Sequence, residues 1–188
     1  MTDLLSRLAF DTERGEIRDE DRRYLLMRPD VLMGMLHGLD ADTQRQVLAS
    51  LMASTQRHGG ASIRAYAIHA QGPTLMEGVA RASASLGWGL WQIDQRGDGD
   101  DSTLVLRVTN SPFAAGHGAC NHPVCAPIAG ILAALATTVL GKPAEARELR
   151  CAAMPRQDGC DFVASVRKPR SPSSSDSNLN SNANPTGT

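Results

Sequence analysis

Residues 110–166 read NSPFAAGHGACNHPVCAPIAGILAALATTVLGKPAEARELRCAAMPRQDGCDFVASV, and this stretch holds all four cysteines of the chain. Its apolar run of small residues predicts a helix from Cys125 to Leu140, closed by Gly141. Two runs typical of strands follow, Ala144 to Ala152 and Cys160 to Arg167, with a polar segment between them. A helix followed by a hairpin favours an antiparallel sheet that buries one face of the helix.

The sequence before residue 110 predicts further helices and one more hairpin. Asp40 or Asp42 suits the cap of a helix over Thr43 to His58, which Gly59-Gly60 is expected to end. The other predicted elements are a strand and turn from Phe10 to Ile17, a strand from Arg23 to Arg28, helices over Asp30 to Leu39, Ala61 to Ala70 and Pro73 to Leu86, and strands over Trp88 to Asp94 and Thr103 to Thr109. Together these elements predict an α+β fold, an antiparallel sheet with helices packed on one face.

Length and charge limit the domain count and the class of partner. A chain of 188 residues fits one domain, with an N-terminal strand and helix segment at 1–60 and its main part at 61–168. Residues 169–188 are rich in Ser, Asn and Pro and are predicted to form a disordered tail. A formal net charge of −1 disfavours direct binding to nucleic acid or to an anionic membrane.

The cysteine content indicates a cellular compartment. The sequence contains neither a run typical of a transmembrane helix nor an N-terminal secretory signal. Cysteines without such a signal are typical of reduced thiols or metal ligands, so a cytoplasmic protein is expected.

Four side chains are candidate metal ligands: Cys125, Glu148, Cys151 and Cys160. Thiolates and a carboxylate that converge from a helix start and a hairpin can form a tetrahedral metal site. Residues three apart on a flat strand point to opposite faces, so Glu148 and Cys151 need a bend or bulge to converge. The alternative is that the cysteines are ordinary buried thiols, which pack as small apolar groups.

Three more residues lie in the loop that leads to Cys125. Cys120, His117 and His122 are each able to replace Glu148, or to bind a metal in its absence. We interpret all three as loop residues rather than ligands.

Two tryptophans and a helical pair are candidates for a ligand cavity. Trp88 and Trp91 stand in a run with two glycines, which permits close approach of another group to the backbone. Tyr66 and His69 are spaced by three residues, which puts them on one helix face if that segment is helical. A His and a Trp nitrogen can bind a phenolic hydroxyl in an apolar cavity. The alternative is that the tryptophans anchor the core and His69 is an ordinary histidine.

The punctuation of the second half resembles the 4-vinyl reductase domain family over roughly Ile63 to Val166. It consists of a strand ending in LRVTNSPF, the Cys125 helix start, Gly141-Lys142 after the helix, Glu148-Leu-Arg-Cys151, and Gly159-Cys160-Asp-Phe-Val. The resemblance implies a zinc site made by Cys125, Glu148, Cys151 and Cys160, with Cys120 outside it. It also implies a small apolar cavity in the region of the tryptophans, and a fold that often forms dimers.

The predicted function is a sensor domain that binds a small hydrophobic or aromatic molecule and contains a structural zinc. Its output would come through a protein partner or a homodimer. A second hypothesis, which the resemblance also implies, is a tetrapyrrole-related accessory protein, vinyl-reductase-like or a porphyrin carrier. A third is a protein-interaction adaptor. Catalysis is not expected, because the sequence shows no nucleotide-binding loop and no nucleophile elbow.

Overall fold

The computed structural model describes residues 4–167, apart from the side chain of Asp100. The N-terminal part contains α1 (Leu4–Arg7), β1 (Ala9–Asp11), β2 (Glu16–Asp19), β3 (Arg22–Tyr24), α2 (Pro29–Gly34), α3 (Ala41–Ala67) and α4 (Gly72–Ser85). The second half contains β4 (Leu90–Arg96), a 3-10 turn (Gly99–Asp101), β5 (Thr103–Thr109), α5 (Pro112–His117), α6 (Ala126–Leu140), β6 (Ala144–Arg150) and β7 (Cys160–Val166). The tail predicted at 169–188 lies outside the described residues.

The main sheet has four antiparallel strands in the order β4-β5-β7-β6. Burial alternates along its two central strands: Leu104, Leu106 and Val108 of β5 are buried, and their neighbours are partly exposed. Phe162 of β7 is buried on the same face. This alternation buries one face of the sheet under the helices. The predicted α+β fold with helices on one face is therefore confirmed.

The centre of the molecule is α6, which lies between the sheet and α3. Nine of its residues are buried, and most of them are Ala, Leu or Ile. A helix that is apolar all round has to be enclosed by other elements, because no face of it is suited to water. Its small side chains let the neighbouring helix approach closely, which offsets the scarcity of aromatic residues.

Three glycines allow the close contact between α3 and α6. A Cβ at Gly59 would overlap Ile131 of α6, and one at Gly60 would lie 3.2 Å from the Ala134 Cβ. A Cβ at Gly130 would overlap Thr55 and the Met52 carbonyl oxygen of α3. The prediction that Gly59-Gly60 ends a helix is therefore wrong. One helix runs from Ala41 to Ala67, because these glycines serve packing between helices and both keep helical backbone.

The N-terminal part forms a separate three-stranded antiparallel sheet in the order β1-β2-β3. Asp40 caps α3 by accepting hydrogen bonds from Asp42 N and Thr43 N, each at 3.0 Å, which confirms one of the two predicted caps. The predicted helix over Asp30 to Leu39 is too long: α2 ends at Gly34, and turns follow it. Within residues 4–167, no helix combines the length and apolar character needed to cross a membrane.

Candidate functional site

Four separate backbone features bring the predicted ligands together. Cys125 is the N-cap of α6, Glu148 lies in β6, Cys151 directly follows that strand, and Cys160 begins β7. The pairing of β6 with β7 shifts register between Glu148 and Arg150. This irregularity is the bulge that the sequence requires for Glu148 and Cys151 to converge, so that structural prediction is confirmed.

The ligand atoms of these residues form a compact group, which we call the thiol cluster. The Cys125 sulfur lies 3.7 Å from that of Cys151 and 3.6 Å from that of Cys160. All four candidate ligand atoms lie within 4.8 Å of one another, and none of the cysteines forms a disulfide. A tetrahedral zinc with bonds of about 2.3 Å separates its sulfur ligands by about 3.8 Å. The thiol cluster therefore has the dimensions of a tetrahedral metal site.

Hydrogen bonds from the surroundings fix the orientation of the thiol cluster. The Ala152 N–H donates to the Cys160 sulfur at 3.2 Å, and the Ser111 hydroxyl lies 3.2 Å from the Cys125 sulfur. The Cys125 N–H donates to Glu148 Oε2 at 2.8 Å. Within residues 4–167, the buried Glu148 Oε1 has no hydrogen-bond partner. Because a buried carboxylate oxygen needs a partner, this atom is the clearest indication that a cation fits here.

The charges of the thiol cluster conflict when no cation balances them. Hydrogen bonds from the thiols of Cys125 and Cys151 lower the pKa of Cys160 to about 4. Hydrogen bonding to Cys151 and Cys160, together with burial, raises the pKa of Cys125 far above its usual range. Burial, followed by the charge of Cys151, raises the pKa of Glu148 to about 8. A divalent cation would let all four groups lose their protons, so this donor set is suited to a metal ion.

The loop residues Cys120, His117 and His122 lie beside the thiol cluster and do not belong to it. The Cys120 thiol donates to the His122 carbonyl oxygen at 3.1 Å. The buried His117 ring packs edge-on against His37 and His122, with centroids 5.0 and 6.0 Å away. These contacts agree with the interpretation of the three as loop residues.

A second feature is an apolar cavity of about 370 Å³, here called the α3–α4 cavity. Helices α3 and α4 and strand β3 line it, with Ile131 of α6 on one side. Two of the predicted ligand residues, Tyr66 and Trp88, contribute to its wall. Trp88 is held edge-on against Phe113 with ring centroids 5.0 Å apart. The cavity also presents polar groups, among them Ser62, Ser83 and Tyr24, so it can both enclose a ring and orient it.

The other two predicted ligand residues lie elsewhere. Trp91 is 7% exposed and lines a smaller recess with Met76, and its indole N–H donates to the Trp88 carbonyl oxygen at 3.0 Å. His69 is exposed and lines a neighbouring polar cleft together with Tyr66. The predicted common helix face does not exist, because α3 ends at Ala67 and His69 lies in the turn beyond it. Neither side chain lines the α3–α4 cavity.

Sequence reasoning missed much of the cavity wall. Ile63, Val79 and Ile131 are cavity residues on three different helices, and Arg22 and His58 lie at its polar side. The three apolar residues recur at helical spacings that are the same for core positions. No local signal in the sequence separates such residues from ordinary core.

The comparisons with known proteins concern the same elements. Residues 104–166, about a third of the chain, match the family model of the 4-vinyl reductase domain. The phenol-responsive sensory domain of the transcription activator PoxR, solved with phenol, is similar over 86% of this chain and 85% of that chain. Its TM-score is 0.71 and its sequence identity 17%. A vinyl-4-reductase family protein from Methanocaldococcus jannaschii matches over 73% of this chain and 76% of that chain, at 16% identity and a TM-score of 0.47.

No curated protein sequence matches the chain significantly. Support for a family therefore comes from the family-model match and from the fold. The matched stretch contains Cys125, Glu148, Cys151 and Cys160, as well as strands β5, β6 and β7. The resemblance predicted from the sequence is thus confirmed: residues 104–166 match the 4-vinyl reductase domain, and the fold that surrounds them is that of a sensor domain of this type.

Proposed function

We propose that this chain is a sensor domain that binds a small aromatic or hydrophobic molecule in the α3–α4 cavity and is stabilised by a zinc ion in the thiol cluster. The observation that carries this proposal is the cavity itself, which is largely apolar, contains a few hydroxyl groups and has Trp88 in its wall. The fold is shared with a phenol-responsive sensory domain, which supports a ligand of the same general kind.

The size of the cavity favours a single-ring ligand. Its volume of about 370 Å³ is near the lower end of the roughly 300–1,000 Å³ range of small-molecule sites. A tetrapyrrole macrocycle would require a wider space. An adaptor without a bound ligand would have no need for an enclosed apolar cavity at the centre of its helices.

Zinc is the metal that the donor set favours. Three thiolates and one carboxylate in a buried group of four suit a closed tetrahedral site. Such a site leaves no position for an activated water, so the ion would supply stability and not catalysis. It would join the start of α6 to both strands of the β6–β7 hairpin. Thiols that hold zinc in this way are typical of reducing compartments, which supports a cytoplasmic location.

Output is proposed to pass through a homodimer or a protein partner. Five large apolar side chains between residues 25 and 35 are about half exposed or more: Leu25, Leu26, Met27, Val31 and Met35. A concentration of exposed apolar groups is typical of an interaction surface. We expect Leu26→Glu to raise the monomer fraction in light scattering, whereas an unchanged mass would argue against a dimer through this surface.

The direct test of the ligand hypothesis uses phenol as the probe. Trp88 lies in the cavity wall, so bound phenol should change its fluorescence in a saturable way. Ala82→Leu adds apolar volume to the cavity and should weaken phenol binding at least tenfold. Ala84→Leu is the matched control, since Ala84 lies on the same helix, is exposed and does not line the cavity. Equal phenol binding by both variants, or no binding by the parent protein, would contradict the proposal.

A further inference from the structure

The α3–α4 cavity has a cationic side that a neutral phenol would leave unused. Arg22, Arg23 and His58 line it, and no Asp or Glu among the described residues does. Most charged residues that border a small-molecule site fix the orientation or the chemical class of the ligand. The distribution of charge is therefore informative about the ligand, provided that the proposed function is correct.

Arg22 is the arginine whose position is most informative. Its nearest acid is Asp19, and Arg22 Nη1 lies 3.8 Å from Asp19 Oδ2. That distance exceeds the usual hydrogen-bond range of about 2.7–3.2 Å, so the pair is an ion pair without a normal hydrogen bond. Asp19 is bound more closely by Arg7, whose Nη2 lies 2.9 Å from the same oxygen. Arg22 therefore keeps a planar set of donors that is suited to a bidentate anion.

The polar surroundings of Arg22 continue beyond the cavity. Arg22 and Tyr66 line both the α3–α4 cavity and the neighbouring cleft of about 590 Å³. That cleft is also lined by Arg7, Arg81 and His69, against a single acid of the described chain, Glu20. The Tyr66 hydroxyl accepts from Arg7 at 3.4 Å, which leaves its own O–H as a donor. An anionic group between the two spaces would meet donors from both Arg22 and Tyr66.

We propose that the ligand of this cavity is an aromatic or hydrophobic acid, with its ring against Trp88 and its carboxylate at Arg22. This inference rests on the proposed function and specifies its ligand class. The apolar wall formed by Ile63, Val79 and Ile131 receives the ring, and the cationic side receives the carboxylate. Arg22 is thus a specificity-determining residue, because it separates an acid from a neutral molecule of the same shape.

The test uses a matched pair of probes, 4-ethylbenzoate and 4-ethylbenzamide, with phenol as a neutral reference. Binding to the full chain is measured by calorimetry at neutral pH and at two salt concentrations. We expect the acid to bind at least tenfold more tightly than the amide, and we expect this preference to shrink at high salt. Arg22→Gln should abolish the preference and leave the affinity for the amide unchanged, and Arg22→Lys should restore part of it.

Arg57→Gln is the control for the change in net charge, because Arg57 is an exposed residue of α3 that lines neither space. It should keep the preference of the parent. Equal affinity for acid and amide, or a preference that survives in Arg22→Gln, would overturn this inference while phenol binding upholds the proposed function. Failure of all three probes to bind would overturn both.

Discussion

The thiol cluster and the α3–α4 cavity differ in how their residues are distributed along the chain. The four members of the thiol cluster come from a segment of the sequence that begins at Cys125 and ends at Cys160. The cavity wall draws on residues from Leu4 to Ile131. The cluster is therefore a local device built from chemically distinctive side chains. The cavity is a property of tertiary packing, made by residues that elsewhere would simply fill a core.

The two sites also differ in how completely their polar groups are bonded. In the thiol cluster, Cys125, Cys151 and Cys160 are each fully buried, and neighbouring groups hydrogen-bond their sulfurs. The cavity wall is apolar along the helices and polar near β3, where Arg22 and Arg23 lie. A closed, bonded site suits a structural role, whereas an apolar space with a polar side suits exchange of a ligand. Helix α6 connects the two, since Cys125 caps it and Ile131 lines the cavity.

The largest expected effect comes from breaking the thiol cluster. Cys151→Ser should abolish stoichiometric metal binding and lower the free energy of unfolding by about 3–5 kcal/mol, because a structural zinc contributes directly to folding. For a chain of this size that corresponds to a fall in Tm of roughly 10–15 °C. Metal analysis and calorimetry measure both quantities.

Cys120→Ser is the matched control for that variant, because Cys120 lies next to the thiol cluster without belonging to it. It should keep both the metal and the Tm. A Cys151→Ser protein as stable as the parent would show that the cluster is only a group of buried thiols.

The next effect tests the packing that joins the two sites. Gly130→Ala would push a Cβ into Thr55 and the backbone oxygen of Met52, and the latter has little freedom to move. We expect a loss of about 2 kcal/mol, since overpacking outweighs the gain in helix propensity. Gly34→Ala, where nothing lies within 4 Å of the added Cβ, should change stability by less than about 1 kcal/mol. Equal denaturation midpoints for the two variants would refute close packing of α3 on α6.

A smaller effect on the fold is expected from Glu148→Gln. The amide keeps the size of the side chain and can still accept from the Cys125 N–H. It is a poor metal ligand, so zinc affinity measured by competition with a chelator should fall at least tenfold. The metal-free variant should unfold within about 1 kcal/mol of the metal-free parent, because no buried carboxyl charge is lost from it. Unchanged zinc affinity would exclude Glu148 from the site.

The smallest effect distinguishes the two tryptophans. Trp88→Phe should remove the fluorescence response to phenol, because Trp88 alone of the pair lines the α3–α4 cavity. Trp91→Phe should keep that response and cost about 1 kcal/mol of stability, since it loses the hydrogen bond to the Trp88 carbonyl oxygen. A response that follows Trp91 would move the ligand to the other side of α4.

The contrast between the two sites explains which features could be predicted from the sequence. Cys125, Glu148, Cys151 and Cys160 are rare residue types at the boundaries of elements, so their meeting could be predicted, including the bulge that it requires. Tyr66 and Trp88 could be proposed as cavity residues from their chemistry. His69 failed because its placement depended on where α3 ends, and the end of a helix is set by packing as much as by local residues.

Gly59 and Gly60 show the same limit more clearly. Paired glycines usually end a helix, because they are flexible and lack side chains. Here the missing side chains are what α6 requires in order to approach, and the packing stabilises the helix across them. The partner that makes them favourable, Ile131, is more than seventy residues away in the sequence. Only the tertiary structure reveals that relationship.

The most direct test of the account is native mass spectrometry of the protein purified without chelators or metal-affinity resin. The account predicts a mass excess of one zinc per chain that is lost on denaturation, and a further small-molecule adduct when an aromatic acid or phenol is added. Ala82→Leu should keep the zinc and lose the adduct. A folded chain that carries no metal and takes up no small molecule would contradict both the structural zinc and the sensor function.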